Sequence, residues 1–214
     1  VEGEQVKLAT GAKRGLDPNP ETIREGSVRM EQHPEYANTL AKIKELGFEV
    51  EITHGDPYVE AKEVLNFQKE VVRVLKVVYV QEGMRYLDLE HELGHIRQLT
   101  ERFGNKCLPT ERVIEYPDGR IKDISEKGGV LTNWQNTITE YHNRLDEFLR
   151  LHARGANIEL LREHAQGIRT WRELYKDTGL KRGKSPSRKS WVEKHFPDLY
   201  GLEERYSRVV VIIE

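Results

Sequence analysis

Apolar residues along the chain recur at two spacings. Tyr36, Leu40, Ile43 and Leu46 repeat every three or four positions, which predicts a helix over 35–46 closed by Gly47 as its C-cap. Phe48, Val50 and Ile52 alternate with polar residues, so 48–53 reads as a strand. The stretch 71–80 is rich in β-branched residues and is the strongest strand signal in the chain. Glu82-Gly83 ends it, and Leu89, Leu93, Ile96, Leu99 and Phe103 then form one stripe of a helix expected over 85–103. Residues 112–124 predict a hairpin turning at Pro117-Asp118-Gly119. Trp134, Ile138, Tyr141, Leu145 and Leu149 mark a long helix over 131–153, and a second runs over 158–176. The basic, Gly-, Ser- and Pro-rich stretch 179–189 reads as an exposed loop. A short helix near Trp191 and a terminal strand over 209–213 complete the chain. The first twenty residues, ending in Asp17-Pro18-Asn19-Pro20, read as an irregular lead-in, with helical patterning from about Pro20 to a break at His33-Pro34.

This pattern implies an α+β chain of 214 residues without internal repeats. It reads as a single domain in three parts: an α/β part over 1–83, two site-bearing helices over 84–178, and a basic loop with a C-terminal strand over 179–214. Charged residues make up 33% of the chain but nearly cancel, at a formal net charge of −2, so nothing global points to nucleic acid or a membrane surface. No apolar run approaches the roughly 20 residues of a membrane-spanning helix. The single cysteine, Cys107, excludes an internal disulfide framework and reads as an inert thiol. The chain opens at Val1 with no signal-peptide pattern, and the expectation is a piece excised from a longer polypeptide.

The chemistry is concentrated in His91-Glu92-Leu93-Gly94-His95. Residues four apart share a helix face, so both imidazoles can reach one metal ion. Zinc accepts imidazole nitrogen and, in catalytic sites, keeps a position open for water. Glu92, one residue past the first ligand, is placed to take a proton from that water and pass it to a leaving amine. The motif therefore predicts a zinc (Zn2+) peptidase, with His91 and His95 on a flank of the apolar stripe, facing a cleft. Gly94 costs about 1 kcal/mol in a helix interior relative to alanine, which implies a packing reason for it.

A catalytic zinc needs a third protein ligand, which this motif lacks. Glu140 and His142, both on the helix over 131–153, are the candidates. Periodicity puts His142 close to the apolar stripe and Glu140 farther round, beside Arg144 and Glu147, so the pattern alone leans to His142. Glu140 can equally be a surface carboxylate paired with Arg144. His152 and His164 read as surface or helix-end histidines. Asp88 and Glu90 are candidate hydrogen-bond partners for a ligand histidine, or simply carboxylates near a helix N-terminus. Tyr86, Tyr141 and Arg144 are candidate oxyanion stabilisers, and no spacing rule selects among them.

With HELGH inside the block Tyr86 to Leu99, and a second block from Trp134 to Leu145 containing Glu140-Tyr141, the sequence resembles zincin-like metallopeptidase toxin domains of bacterial polymorphic toxin systems. The likeness covers roughly residues 40–170. Such modules form the C-termini of large secreted proteins, including those with RHS repeats. The resemblance implies Glu140 as the third ligand. It also implies a zincin-like fold: a small twisted sheet packed on the active-site helix, with a mostly helical C-terminal part. An edge strand, 71–80, would take the substrate backbone by strand addition. In biology, the resemblance implies delivery into the cytoplasm of a target cell, cleavage of a protein there, and a cognate immunity protein in the producer.

Two other readings stand beside this one. HELGH also occurs in intracellular regulatory peptidases, which would be cytoplasmic. A non-enzymatic, zinc-stabilised binding module would work instead through the basic helical C-terminal third. That basic stretch (Lys181, Arg182, Lys184, Arg188, Lys189) has only Trp191 and Phe196 nearby as stacking residues, and reads as a solvated loop rather than a nucleic-acid patch. Gly183-Lys184-Ser185 has Thr178 where a phosphate loop needs glycine, so that pattern fails. The Glu140–Asn143 stretch is no nuclease motif either.

Overall fold

The structure, a computed structural model, describes residues 27–103, 107–127, 129–180 and 185–214. The described residues form an α+β arrangement with six α-helices and a five-stranded mixed sheet. In chain order these are α1 (Tyr36–Glu45), β1 (Glu49–Ile52), β2 (Tyr58–Leu65), β3 (Val71–Val80), α2 (Tyr86–Glu101), β4 (Glu111–Glu115), β5 (Ile121–Asp123), α3 (Asn133–Ala153), α4 (Ile158–Asp177), α5 (Pro186–His195) and α6 (Leu199–Ile213). No helix among them is long and apolar enough to cross a membrane. The expected lead-in over the first twenty residues lies outside the described residues.

The chain divides into two compact units, one made of Ala37–Glu82 and Glu92–Asn136, the other of Gly83–His91, Thr137–Glu214 and the described residues before Ala37. The first unit holds the sheet, in the order β1-β3-β2-β4-β5. β1 runs parallel to β3 (Glu49 opposite Val77), β2 antiparallel to β3, β2 parallel to β4 (Lys62 opposite Glu111), and β4 antiparallel to β5. The β4–β5 hairpin turns where the Pro-Asp-Gly triplet predicts, with Gly119 at φ +82°, where a side chain would be strained. Gly47 ends α1 in the same left-handed region, at φ +82°.

Sequence reasoning passed over β2, the strand that joins the two halves of the sheet. Its order Tyr-Val-Glu-Ala-Lys-Glu-Val-Leu does not alternate cleanly, and the register slips between Val64 and Leu65 so that both are buried. The expectation of β3 as an edge strand needs correction. Over Val77–Val80 it is flanked by β1 and β2, and Val77, Val78 and Val80 are buried. Only its first half keeps one side unpaired among the described residues, and there Val71, Val72, Val74 and Leu75 are exposed.

The other unit is helical. Ile138, Tyr141, Leu145 and Phe148 of α3 are buried; Tyr141 stacks on Tyr175 of α4, and Phe148 meets Tyr206 of α6 edge-on at 5.0 Å. Asn157 caps α4, its side-chain oxygen accepting from Leu160 N at 2.9 Å. The expected terminal strand over 209–213 is instead the last part of α6. Leu199, Leu202, Tyr206 and Ile213, spaced three, four and seven apart, are all buried, and this packing overrides the strand preference of Val209 to Ile213. The expected loop over 179–189 also gives way: Pro186 opens α5, so 186–189 is helical, while 181–184 lies outside the described residues.

Candidate metal centre

α2 fixes the first two candidate ligands. The apolar stripe Leu89, Leu93, Ile96 and Leu99 is buried, which turns His91 and His95, one turn apart, to a flank of it. Gly94 between them is buried as well. α3 supplies the opposing face. Glu140, Asn143 and Glu147 are spaced three and four apart and so lie along one side of that helix.

The contacts are specific. His91 Nε2 lies 3.2 Å from Glu140 Oε1, and His91 Nδ1 lies 3.1 Å from Glu147 Oε2. Asn143 donates from Nδ2 to the backbone carbonyl of His91 at 2.9 Å. Along α2, His95 Nδ1 meets Gln98 Oε1 at 3.0 Å. A carboxylate and an amide oxygen only accept hydrogen bonds, so each imidazole donates from Nδ1 and turns Nε2 to the other side. His91, His95 and Glu140 each offer a ligand atom, and these atoms lie within 4.8 Å of one another. Two imidazoles and one carboxylate form a donor set that zinc accepts, and Nδ1 bonds of this kind orient ligand histidines and raise their basicity.

The electrostatics follow from burial and neighbours. Burial acts most strongly on His91 and disfavours its charge, yet the hydrogen bonds and charges of Glu140 and Glu147 together outweigh it, and its pKa is pushed up to about 10. Burial likewise opposes ionisation of Glu147, but the hydrogen bond and charge of His91 hold it below the usual carboxylate value. Without a metal the proton on His91 Nε2 points to Glu140, so a metal that takes this nitrogen must displace that proton.

The structure separates the sequence candidates. Glu140 joins His91 and His95, and it also accepts from Arg144 Nε at 2.7 Å. Its side chain is only 16% exposed, so the expected pair with Arg144 exists but is not a surface one. His142 is placed elsewhere: its Nε2 lies 3.0 Å from Asp198 Oδ2 and its ring tilts against Phe196. Glu92, one residue past His91, is buried. Asp88 and Glu90 do not contact the candidate ligand histidines; Asp88 pairs with Arg85, and Glu90 with Arg150 and Arg154. Those partners are Glu147 and Gln98, which sequence reasoning missed. The signal was available in the spacing, since Gln98 lies three residues past His95 and Glu147 seven past Glu140.

Two further expectations change. His152 is exposed as expected, but His164 has a side chain only 10% exposed, with Nδ1 3.9 Å from Glu147 Oε2, and burial lowers its pKa. Of the oxyanion candidates, Tyr141 donates its hydroxyl to Glu203 at 2.8 Å, and Tyr86 is buried with its ring stacked on His33 at 3.6 Å. Comparison with protein-family models, curated proteins and solved structures found no match.

Proposed function

We propose that this chain is a zinc-dependent endopeptidase with a zincin-like fold, acting as an effector domain that cleaves a protein inside a target cell, with an immunity protein as its cognate partner. The observation that carries the enzymatic part is the convergence of His91, His95 and Glu140, with an acceptor on Nδ1 of each imidazole. The donor set fits zinc by its chemistry, although other divalent ions accept the same groups. The effector biology rests on the resemblance of the HELGH and Glu140 blocks alone.

A bound zinc ion supplies a Lewis acid that polarises a carbonyl and lowers the pKa of water. The chain's own residues do the rest. Glu147 and Gln98 hold the two imidazoles in one tautomer and orientation. Asn143 ties α3 to the turn that carries His91. Glu92 would take the proton of the attacking water as the new C–O bond forms and the carbonyl oxygen becomes an oxyanion, and would return it to the leaving amine when that oxyanion collapses and the amide C–N bond breaks.

A second reading has its own observation. An imidazolium between Glu140 and Glu147, with Arg144 on Glu140, is a complete buried ion cluster without any metal. Metal content measured by mass spectrometry on chelator-free protein separates the two. About one zinc per chain, lost in His91→Ala and Glu140→Ala, is expected of a ligand set with three protein donors. Glu92→Gln should keep that zinc and lose cleavage of denatured casein. A wild-type chain that takes up no zinc when it is offered would leave the ion cluster as the structure's whole content.

A further inference from the structure

Arg144 occupies a position that neither the ligand set nor the motif explains. Its Nε donates to Glu140 Oε1 at 2.7 Å, and this same oxygen stands 3.2 Å from His91 Nε2. The guanidinium lies over the ring of Trp171 at 6.0 Å, a cation–π distance. At Gly167, one turn before Trp171, a Cβ would sit 3.7 Å from Arg144 Nη1, so α4 presents a glycine and then an indole to the guanidinium. This seat fixes the plane of a side chain that is still 32% exposed.

Guanidinium carries five N–H donors. One is used on Glu140, and the four on Nη1 and Nη2 have no hydrogen-bond partner among the described residues. Donors in that state, held beside a ligand carboxylate and open to solvent, suit an oxygen that gains negative charge during a reaction. The other two oxyanion candidates are engaged elsewhere, Tyr141 with Glu203 and Tyr86 against His33.

We propose that Arg144 is a catalytic residue whose Nη donors bind the oxyanion that forms on the scissile carbonyl, while its Nε holds Glu140. This rests on the metal-centre reading above. It also assigns the specificity of the site for tetrahedral anions over neutral metal ligands. Arginine suits the task because its planar fork serves two acceptors at once, which a lysine ammonium on a flexible stem does not do in fixed geometry.

The test uses the full chain loaded with cobalt, whose visible absorption reports ligands at the metal, and two probes: phenylphosphonate as a tetrahedral anion and imidazole as a neutral ligand. Wild type is compared with Arg144→Gln and Arg144→Lys, with folding checked by circular dichroism. The expected result in fully cobalt-loaded Arg144→Gln is phosphonate affinity reduced about 10- to 100-fold, imidazole affinity unchanged, and partial recovery in Arg144→Lys. Equal phosphonate binding by wild type and Arg144→Gln overturns the proposal. So does a loss of cobalt affinity that accounts for the whole phosphonate effect, because Arg144 would then only position Glu140. Failure of the underlying reading is distinct: wild type itself would bind no cobalt.

Discussion

His91 and His95 stand one turn apart on a single helix and offer the same atom, yet their surroundings differ. His91 lies between two carboxylates, Glu140 and Glu147, whereas His95 leans on the amide oxygen of Gln98 from its own helix. The first imidazole is part of a buried ion cluster built from a second helix, and the second is held by a local neutral hydrogen bond. Equivalent positions in a motif are thus unequal in energy. His91 is a protonated partner of two carboxylates below its raised pKa, and His95 has no such pair.

The sharpest way to break this comparison is to remove each ring in turn and measure urea denaturation of the metal-free chain. His91→Ala leaves the Glu147 carboxylate, 4% exposed, without its principal partner and should cost about 3 kcal/mol. His95→Ala removes one neutral hydrogen bond from Gln98 and should cost about 1 kcal/mol. Both variants should lose zinc. Equal costs would mean that the two environments do not differ in the way their contacts suggest.

Glu147→Gln comes next, because it keeps an acceptor beside Nδ1 of His91 and removes the charge. Zinc affinity, measured by competition with a chromophoric chelator, should fall about 10- to 100-fold. A change below about threefold would assign the orienting role to the hydrogen bond and none of it to the charge.

The site was legible only in part. HELGH marks two candidate ligands because a helix period converts spacing into a shared face, and the stripe Leu89, Leu93, Ile96 and Leu99 is buried as that period requires. The pattern's lean to His142 rested on its position near the apolar stripe, and that position puts it outside the group of His91, His95 and Glu140. Being near the apolar stripe, His142 is 3% exposed and packs with Phe196 and Asp198. The spacing put Gln98 within reach of His95 and Glu147 on the side of Glu140, but it could not select them, because a carboxylate and an amide on a helix usually face water. Gln98 reaches His95 Nδ1 within its own helix, whereas the contact of Glu147 with His91 Nδ1 needs the tertiary arrangement. In the fold, β3 was read to the residue, while the Val209–Ile213 run was misread, because β-branched residues state a local preference that packing of α6 reverses.

Acidity gives a third test, with opposite signs for the two states of the centre. The pKa of His91 is pushed from the ordinary 6.5 up to about 10, so its contribution to the stability of the metal-free chain is complete below pH 6.5 and lost as pH rises through about 10. The transition temperature of metal-free wild type should therefore decline over that window more than that of His91→Ala. Zinc must displace the same proton, so apparent zinc affinity should rise over the window, and calorimetry in buffers of different ionisation enthalpy should show about one proton released per metal near pH 8. Flat affinity across this range would mean that His91 is not protonated in the free site.

The smallest effect sharpens the comparison most, because it makes the second histidine resemble the first. Gln98→Glu places a carboxylate where the amide oxygen now lies, 3.0 Å from His95 Nδ1, and so copies the relation of Glu147 to His91. Two consequences oppose each other. A carboxylate makes the imidazole a better metal ligand, and it also makes it hold a competing proton more tightly. The position is 4% exposed, so burying another carboxylate costs stability unless His95 is protonated or metal-bound. The net change in zinc affinity should stay within about tenfold, with a gain at high pH and a loss at low pH. Proton release per zinc should climb from about one towards two at neutral pH. A variant whose zinc affinity shifts equally at pH 6 and pH 9 would show that the contrast between carboxylate and amide does not set the difference between the two histidines. The cause would then lie in Glu140, the carboxylate that faces His91 on its Nε2 side.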